Sequence, residues 1–106
     1  MGLFDFLRRP DIHAGLARWA DAPEAVLLDV RTPAEFREGH IPGSRNLPVD
    51  EIQRAADLVT DRETPIFLYC ASGARSASGA RQLRNMGYQH VTNIGGIAGY
   101  RGKVER

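Results

Sequence analysis

The sequence predicts an α/β fold: a sheet of four to five mostly parallel strands with helices on both faces. Two short apolar runs, Val26-Leu27-Leu28-Asp29-Val30 and Ile66-Phe67-Leu68-Tyr69-Cys70, suit strands buried on both sides. Helical stretches alternate with them, and a chain that alternates strand and helix forms a largely parallel sheet. Pro33, Gly39, Pro42-Gly43, Pro65, Gly87 and Gly95-Gly96 punctuate the boundaries.

Residues 1–10 form an N-terminal strap and residues 11–106 a single domain in this reading. Phe4-Asp5-Phe6-Leu7 suits either an edge strand or a docked strap. Ile12 to Ala20 is helical, and Val26–Val30 is the first clear strand. Thr32-Pro33-Ala34-Glu35 starts a helix: Thr caps, Pro takes the first helical position, and Glu lies three residues after the cap. Gly39 stops that helix early. Ile41-Pro42-Gly43 is a turn, and Arg45-Asn46-Leu47 is briefly extended. Asp50 is expected to cap a helix reaching about Leu58, with Ile52, Ala55, Ala56 and Val59 on one face. Pro65 launches the strand Ile66–Cys70. A helix from Ala74 to Met86 follows, with Gly87 placed as a left-handed cap. Gly79 inside it costs about 1 kcal/mol relative to Ala, which suggests close packing against the sheet. Val91–Ile94 is the last strand, closed by Gly95-Gly96.

Composition removes several function classes. Fourteen basic residues against 13 acidic ones leave a net charge of +1, with no electrostatic footprint for nucleic acid. No window holds the ~18 apolar residues of a membrane span. The opening MGLFDFLRRP lacks a signal-peptide layout, and Phe6 stands where a myristoylation signal carries Ser or Thr, so no lipid anchor is expected. Cys70 is the sole cysteine, which excludes an internal disulfide and any metal site built from several thiolates. A reducing, cytoplasmic setting and a reaction without cofactor or metal are expected.

A lone cysteine is most often a small buried hydrophobe. The neighbourhood of Cys70 argues otherwise. Cys70-Ala71-Ser72-Gly73-Ala74-Arg75-Ser76 runs from a strand, through small residues, into a helix N-terminus. Small side chains let successive N–H groups turn inward as an anion nest, and the helix start adds unpaired donors and the positive end of its dipole. A thiol of pKa about 8.5 is only ~3% ionised at pH 7; lowering it by two units takes about 2.7 kcal/mol. Helix termini and nearby cations supply shifts of that size. Cys70 therefore reads as a thiolate nucleophile, and no histidine base is required.

LLDVRTPAEFREGHIPGSRNLP, the strand ending in Cys70, the six-residue loop Cys70 to Arg75 and GYQHVTNIGGIAGY resemble a single-domain rhodanese, a thiosulfate sulfurtransferase. The likeness covers about Asp11 to Tyr100, with the blocks in the family's order and spacing. It implies a rhodanese-like fold and a two-step reaction. Cys70 takes the outer sulfur of a small sulfur-containing anion such as thiosulfate, and cyanide or a thiol then removes it. By position, Ala71, Ser72, Gly73, Ala74 and Arg75 would bind the substrate. Ala71 and Ser72 are neutral where thiosulfate-using relatives often carry basic residues, and Ala71-Ser72-Gly73 has some likeness to mercaptopyruvate sulfurtransferases. Tyr100 stands where Trp commonly follows the paired glycines.

Supporting residues carry two readings each. Asp29 either orients the loop or joins Arg31 and Glu38 or His40 in a buried ion-pair lattice; Arg31 and Glu38 favour the lattice, since buried charges need partners. His40 reads as a structural hydrogen-bonding group, and His13 and His90 as surface residues. Arg75 is expected to meet the anionic oxygens of a donor. Ser76 is expected to cap the helix, with a hydrogen bond to the persulfide as the alternative. Trp19 and Tyr88 read as packing residues.

Two rival functions are weighed. A sulfur-relay or binding module would accept persulfide at Cys70 from a partner protein. A phosphatase or arsenate reductase shares the Cys-led cradle, but those enzymes place five residues between Cys and Arg, and here four separate Cys70 from Arg75.

Overall fold

Val26–Asp29 (β1) and Ile66–Cys70 (β3) pair in parallel from Val26 opposite Ile66 to Asp29 opposite Tyr69. Their side chains alternate between faces, as extended backbone requires, so Leu27 and Phe67 point one way and Leu28 and Leu68 the other. Both faces are buried, which explains the continuous apolar runs. The computed structural model describes residues 10–106, so the expected strap or edge strand at Phe4–Leu7 lies outside the described residues.

The described strands form one parallel sheet ordered β2-β1-β3-β4, with β2 at Arg45–Asn46 and β4 at Val91–Gly96. One face is covered by α1 (Ile12–Ala20), which seats Ile12 against Leu27, Phe67, Tyr69 and Ile94. The other is covered by α4 (Ala74–Asn85) and the segment before β3, which bury Leu83, Ala80, Ile52 and Ala55 on Leu28 and Leu68. Gly79 of α4 faces the sheet: a Cβ there would stand 3.1 Å from Leu68 Cδ1. The close packing expected of this glycine is present.

Between β1 and β2, α2 (Pro33–Glu38) has the expected capping box. Glu35 N–H donates to Thr32 Oγ1, and Thr32 N–H donates to Glu35 Oε1. The segment after β2 departs from expectation. A 3₁₀ turn, Val49–Arg54, precedes α3 (Ala55–Leu58); the cap position falls on Pro48, and no side chain caps it. Asp50 is therefore not a cap. Val49 N–H is tied to Val30 O of the sheet, and Glu51 breaks the helical path with φ −118° and ψ 22°.

Strand ends also differ. β1 stops at Asp29, and Val30 N–H still donates to Tyr69 O. β4 runs two residues beyond Ile94 to Gly96. Leu68 is opposite Asn93 and Tyr69 is opposite Gly95, so Ile94 is an extra residue in β4. Such a bulge re-aims the side chains beside it.

Candidate active site

Cys70 ends β3, and three residues later Gly73 takes the N-cap position of α4. Gly73 has φ +103°, a left-handed conformation that side chains disfavour, and it supplies no side-chain cap. The sulfur fills that role. Gly73 N–H donates to Cys70 Sγ at 3.0 Å, and Ser76 Oγ lies 3.5 Å from it. Burial pushes the thiol up, but the Ser76 hydroxyl and the backbone N–H groups of Ser76, Gly73 and Ser72 outweigh it, leaving Cys70 below its ordinary value. Cys70 is only 1% exposed, apolar on one side and ringed by donors on the other. A cavity of about 310 Å³, lined by Pro10, Ser72, Gly73, Asn93, Gly95 and Gly96, abuts the loop. Gly96 is essential to this closeness, because a Cβ there would lie 2.4 Å from Ala71 O.

Ser76 does not cap the helix. It is the third helical residue, fully buried, and its hydroxyl faces Asn93, Gly73 O and the sulfur. The structure thus brings it to Cys70 rather than to a capping position, because Gly73 already ends the loop.

Arg75, half-exposed at the rim, is gripped by Glu35 through Nη1–Oε1 at 2.8 Å and Nη2–Oε2 at 3.0 Å. The guanidinium, followed by the Thr32 amide, holds the Glu35 carboxyl down at about 2. Arg75 also feels the charge of Cys70.

Asp29 and Arg31 stand away from the sulfur as a buried pair. Arg31 Nη2 meets Asp29 Oδ2 at 2.7 Å and Gly39 O at 2.8 Å. Neither Glu38 nor His40 joins this pair, contrary to one expected form of the lattice. His40 instead bonds Phe36 O through Nδ1 at 2.9 Å and stacks on the Phe36 ring. His13 is partly buried, stacking on Tyr100 and accepting from Arg101 N–H, while His90 is exposed. Tyr88 is buried and Trp19 packs at the edge of the α1 face.

Two contributors escape a reading by residue type. Asn93 links β4 to the loop, with Nδ2 donating to Gly73 O at 3.2 Å and Oδ1 accepting from Gly95 N–H at 3.0 Å. Its signal in the sequence is an amide side chain inside a strand, where Asn is uncommon, just before two glycines. Glu35 is legible as a capping residue, but its grip on Arg75 spans 40 positions. Among the described residues no cluster of three metal-ligating side chains occurs, and no helix is long and apolar enough to cross a membrane.

A parallel α/β sheet that ends a strand in a cysteine, set against the amides of the next helix, places the chain among α/β domains that hold a cysteine at the carboxyl end of a strand. Within that class, the chain belongs to the rhodanese-like domain family, which matches residues 13–103. A protein named sulfurtransferase from Allochromatium vinosum is 42% identical over 82 residues, covering 76% of this chain and 75% of the relative. The thiosulfate sulfurtransferase PspE of Escherichia coli is 37% identical over 71 residues, covering 66% of this chain and 68% of its own length. Among solved structures, a rhodanese with anions from E. coli superposes with a TM-score of 0.72 at 31% identity, covering 77% of this chain and 98% of that one.

Proposed function

We propose that the protein transfers a sulfane sulfur from thiosulfate or a similar anionic donor to cyanide or a thiol through a Cys70 persulfide. The observation that carries this reading is the Gly73 N–H donating to Cys70 Sγ at 3.0 Å beneath a ring of helix-terminal donors. The thiolate attacks the outer sulfur of thiosulfate; the S–S bond of the donor breaks and sulfite leaves with the electron pair. The terminal persulfide sulfur then bonds the carbon of cyanide, and the Cys70 thiolate is released as thiocyanate departs. Each half is one displacement, so the transfer is split into two easier steps. The loop donors stabilise sulfur-centred charge as an oxyanion hole stabilises oxygen. A thiol that must stay reduced suits a reducing, cytoplasmic setting.

Mass spectrometry of the intact protein after thiosulfate is expected to show one added sulfur, removable by reductant, and cyanide is expected to yield thiocyanate. Cys70→Ser abolishes both. Absence of the added sulfur in the native protein overturns thiosulfate as the donor.

One observation favours a second reading, a relay that takes sulfur from a partner's persulfide. Ala71 and Ser72 carry no charge, and the charge of Arg75 is matched by Glu35, which lessens the attraction for a dianion. Under this reading glutathione persulfide loads Cys70 while thiosulfate does not. Neither reading predicts turnover of an aryl phosphate, because the loop holds one residue too few to embrace a tetrahedral oxyanion.

A further inference from the structure

Ser76 has one hydroxyl hydrogen and four acceptors around it. Asn93 Oδ1 lies at 2.7 Å, Gly73 O at 3.1 Å, and Cys70 Sγ and Gly95 O both at 3.5 Å. The hydroxyl can donate to one of them at a time. The orientation of the Asn93 amide is fixed independently: Gly95 N–H needs an acceptor and Gly73 O accepts from Nδ2, so Oδ1 is the atom that faces Ser76. Flipping the amide would set donor against donor and acceptor against acceptor. All of Ser76 is buried, so no water competes for the hydrogen at full strength.

We propose that Asn93 is a positioning residue that competes with Cys70 for the Ser76 hydrogen and so sets how readily the sulfur ionises. While Cys70 is a thiol, the shortest partner, Asn93 Oδ1, holds the hydrogen. When the sulfur is charged, a charge-assisted bond draws the hydroxyl from Asn93 to Sγ. Ionisation therefore includes the loss of the Ser76–Asn93 bond, and the same exchange recurs each time the charge forms and is lost. The inference rests on Cys70 ionising in this loop, as the sulfurtransferase reading does, but it requires no particular donor. Of the charged groups, Arg75 on α4 lies nearest the sulfur and Glu35 on α2 holds it, while the Asp29–Arg31 pair sits on the opposite face of the sheet. None of them is altered by a change at position 93.

The test is a double-mutant cycle on the Cys70 pKa, read from the ultraviolet absorbance of the thiolate with Cys70→Ser as the blank. Because the chain has one cysteine, the signal needs no assignment. Asn93→Ala is expected to lower the pKa by about half a unit to one unit, the worth of one net hydrogen bond. In a Ser76→Ala background the same change is expected to leave the pKa where Ser76→Ala alone put it. Asn93→Asp keeps Oδ1 and adds charge, so it raises the pKa, and more with Ser76 present than without. Equal shifts in both backgrounds, or no fall for Asn93→Ala, overturn the proposal. If Asn93→Ala does not fold, the Asn93→Asp pair decides by the same comparison. Sulfur loading is measured separately, so failure of the coupling and failure of the transfer reading remain distinct results.

Discussion

Glu35 and Arg75, 40 positions apart, form a two-pronged ion pair at the rim of the Cys70 loop, with contacts of 2.8 and 3.0 Å. Glu35 Oε1 also accepts from the Thr32 amide and hydroxyl. One carboxylate therefore caps α2 and fixes the only charged side chain of the six-residue loop.

Glu35→Gln separates the two duties. Gln still completes a capping box, so α2 is retained, but it offers Arg75 one neutral acceptor. Freed of its counter-charge, Arg75 should attract an anionic donor more strongly. The KM for thiosulfate is expected to fall severalfold, bounded by the ~1 kcal/mol that a partly exposed pair is worth. Steady-state kinetics with thiosulfate, native protein against Glu35→Gln, check this, and an unchanged or raised KM overturns it.

The same pair makes stability depend on acidity. Glu35 has its folded pKa depressed to about 2 from 4.5, so the unfolded chain binds more protons as the pH falls. Its contribution is complete above about pH 4.5 and is lost as the pH drops towards 2. Urea unfolding across that window is expected to show the native protein losing stability more steeply than Glu35→Gln.

Gly96→Ala tests the packing of the loop on β4. The added Cβ would meet Ala71 O at 2.4 Å and Ser72 Cα at 2.6 Å, both backbone atoms that have nowhere to go without moving the cradle. Persulfide formation is expected to slow by about tenfold or more, the cost of roughly an ångström of misplacement. Rate of sulfur loading and thermal unfolding, measured together, separate a displaced loop from a lost fold.

Arg31→Leu leaves Asp29, fully buried, without its partner. Removing one half of a buried pair costs about 3–5 kcal/mol, because the remaining charge stays desolvated. Denaturant midpoints check this. Protein that still folds should keep much of its sulfur-loading rate, since the pair stands away from the sulfur.

Local chemistry was legible where it was local. Thr32 and Glu35 are three residues apart, so their capping box could be read directly, as could the small residues that let Gly73 and the α4 amides face Cys70. Asp50 misled because its position invited a cap, while the tie from Val49 to Val30 in the sheet set a tighter 3₁₀ path. Ser76 misled for a related reason: a serine near a helix start suggests a cap, and only the left-handed turn at Gly73 shows the cap position taken.

What the sequence alone determined was the alternation of strand and helix, the two-sided burial of β1 and β3, and a cysteine set before a helix N-terminus. These follow from periodicity, turn residues and neighbours within a few positions. The tertiary structure decided which groups meet from distant segments. Ion pairs and hydrogen bonds act over a few ångströms of space, whatever the spacing along the chain. Only the sheet order, which sets Asn93 opposite Leu68 on the face covered by α4, carries Asn93 to Ser76, and only the packing of α2 beside the loop carries Glu35 to Arg75.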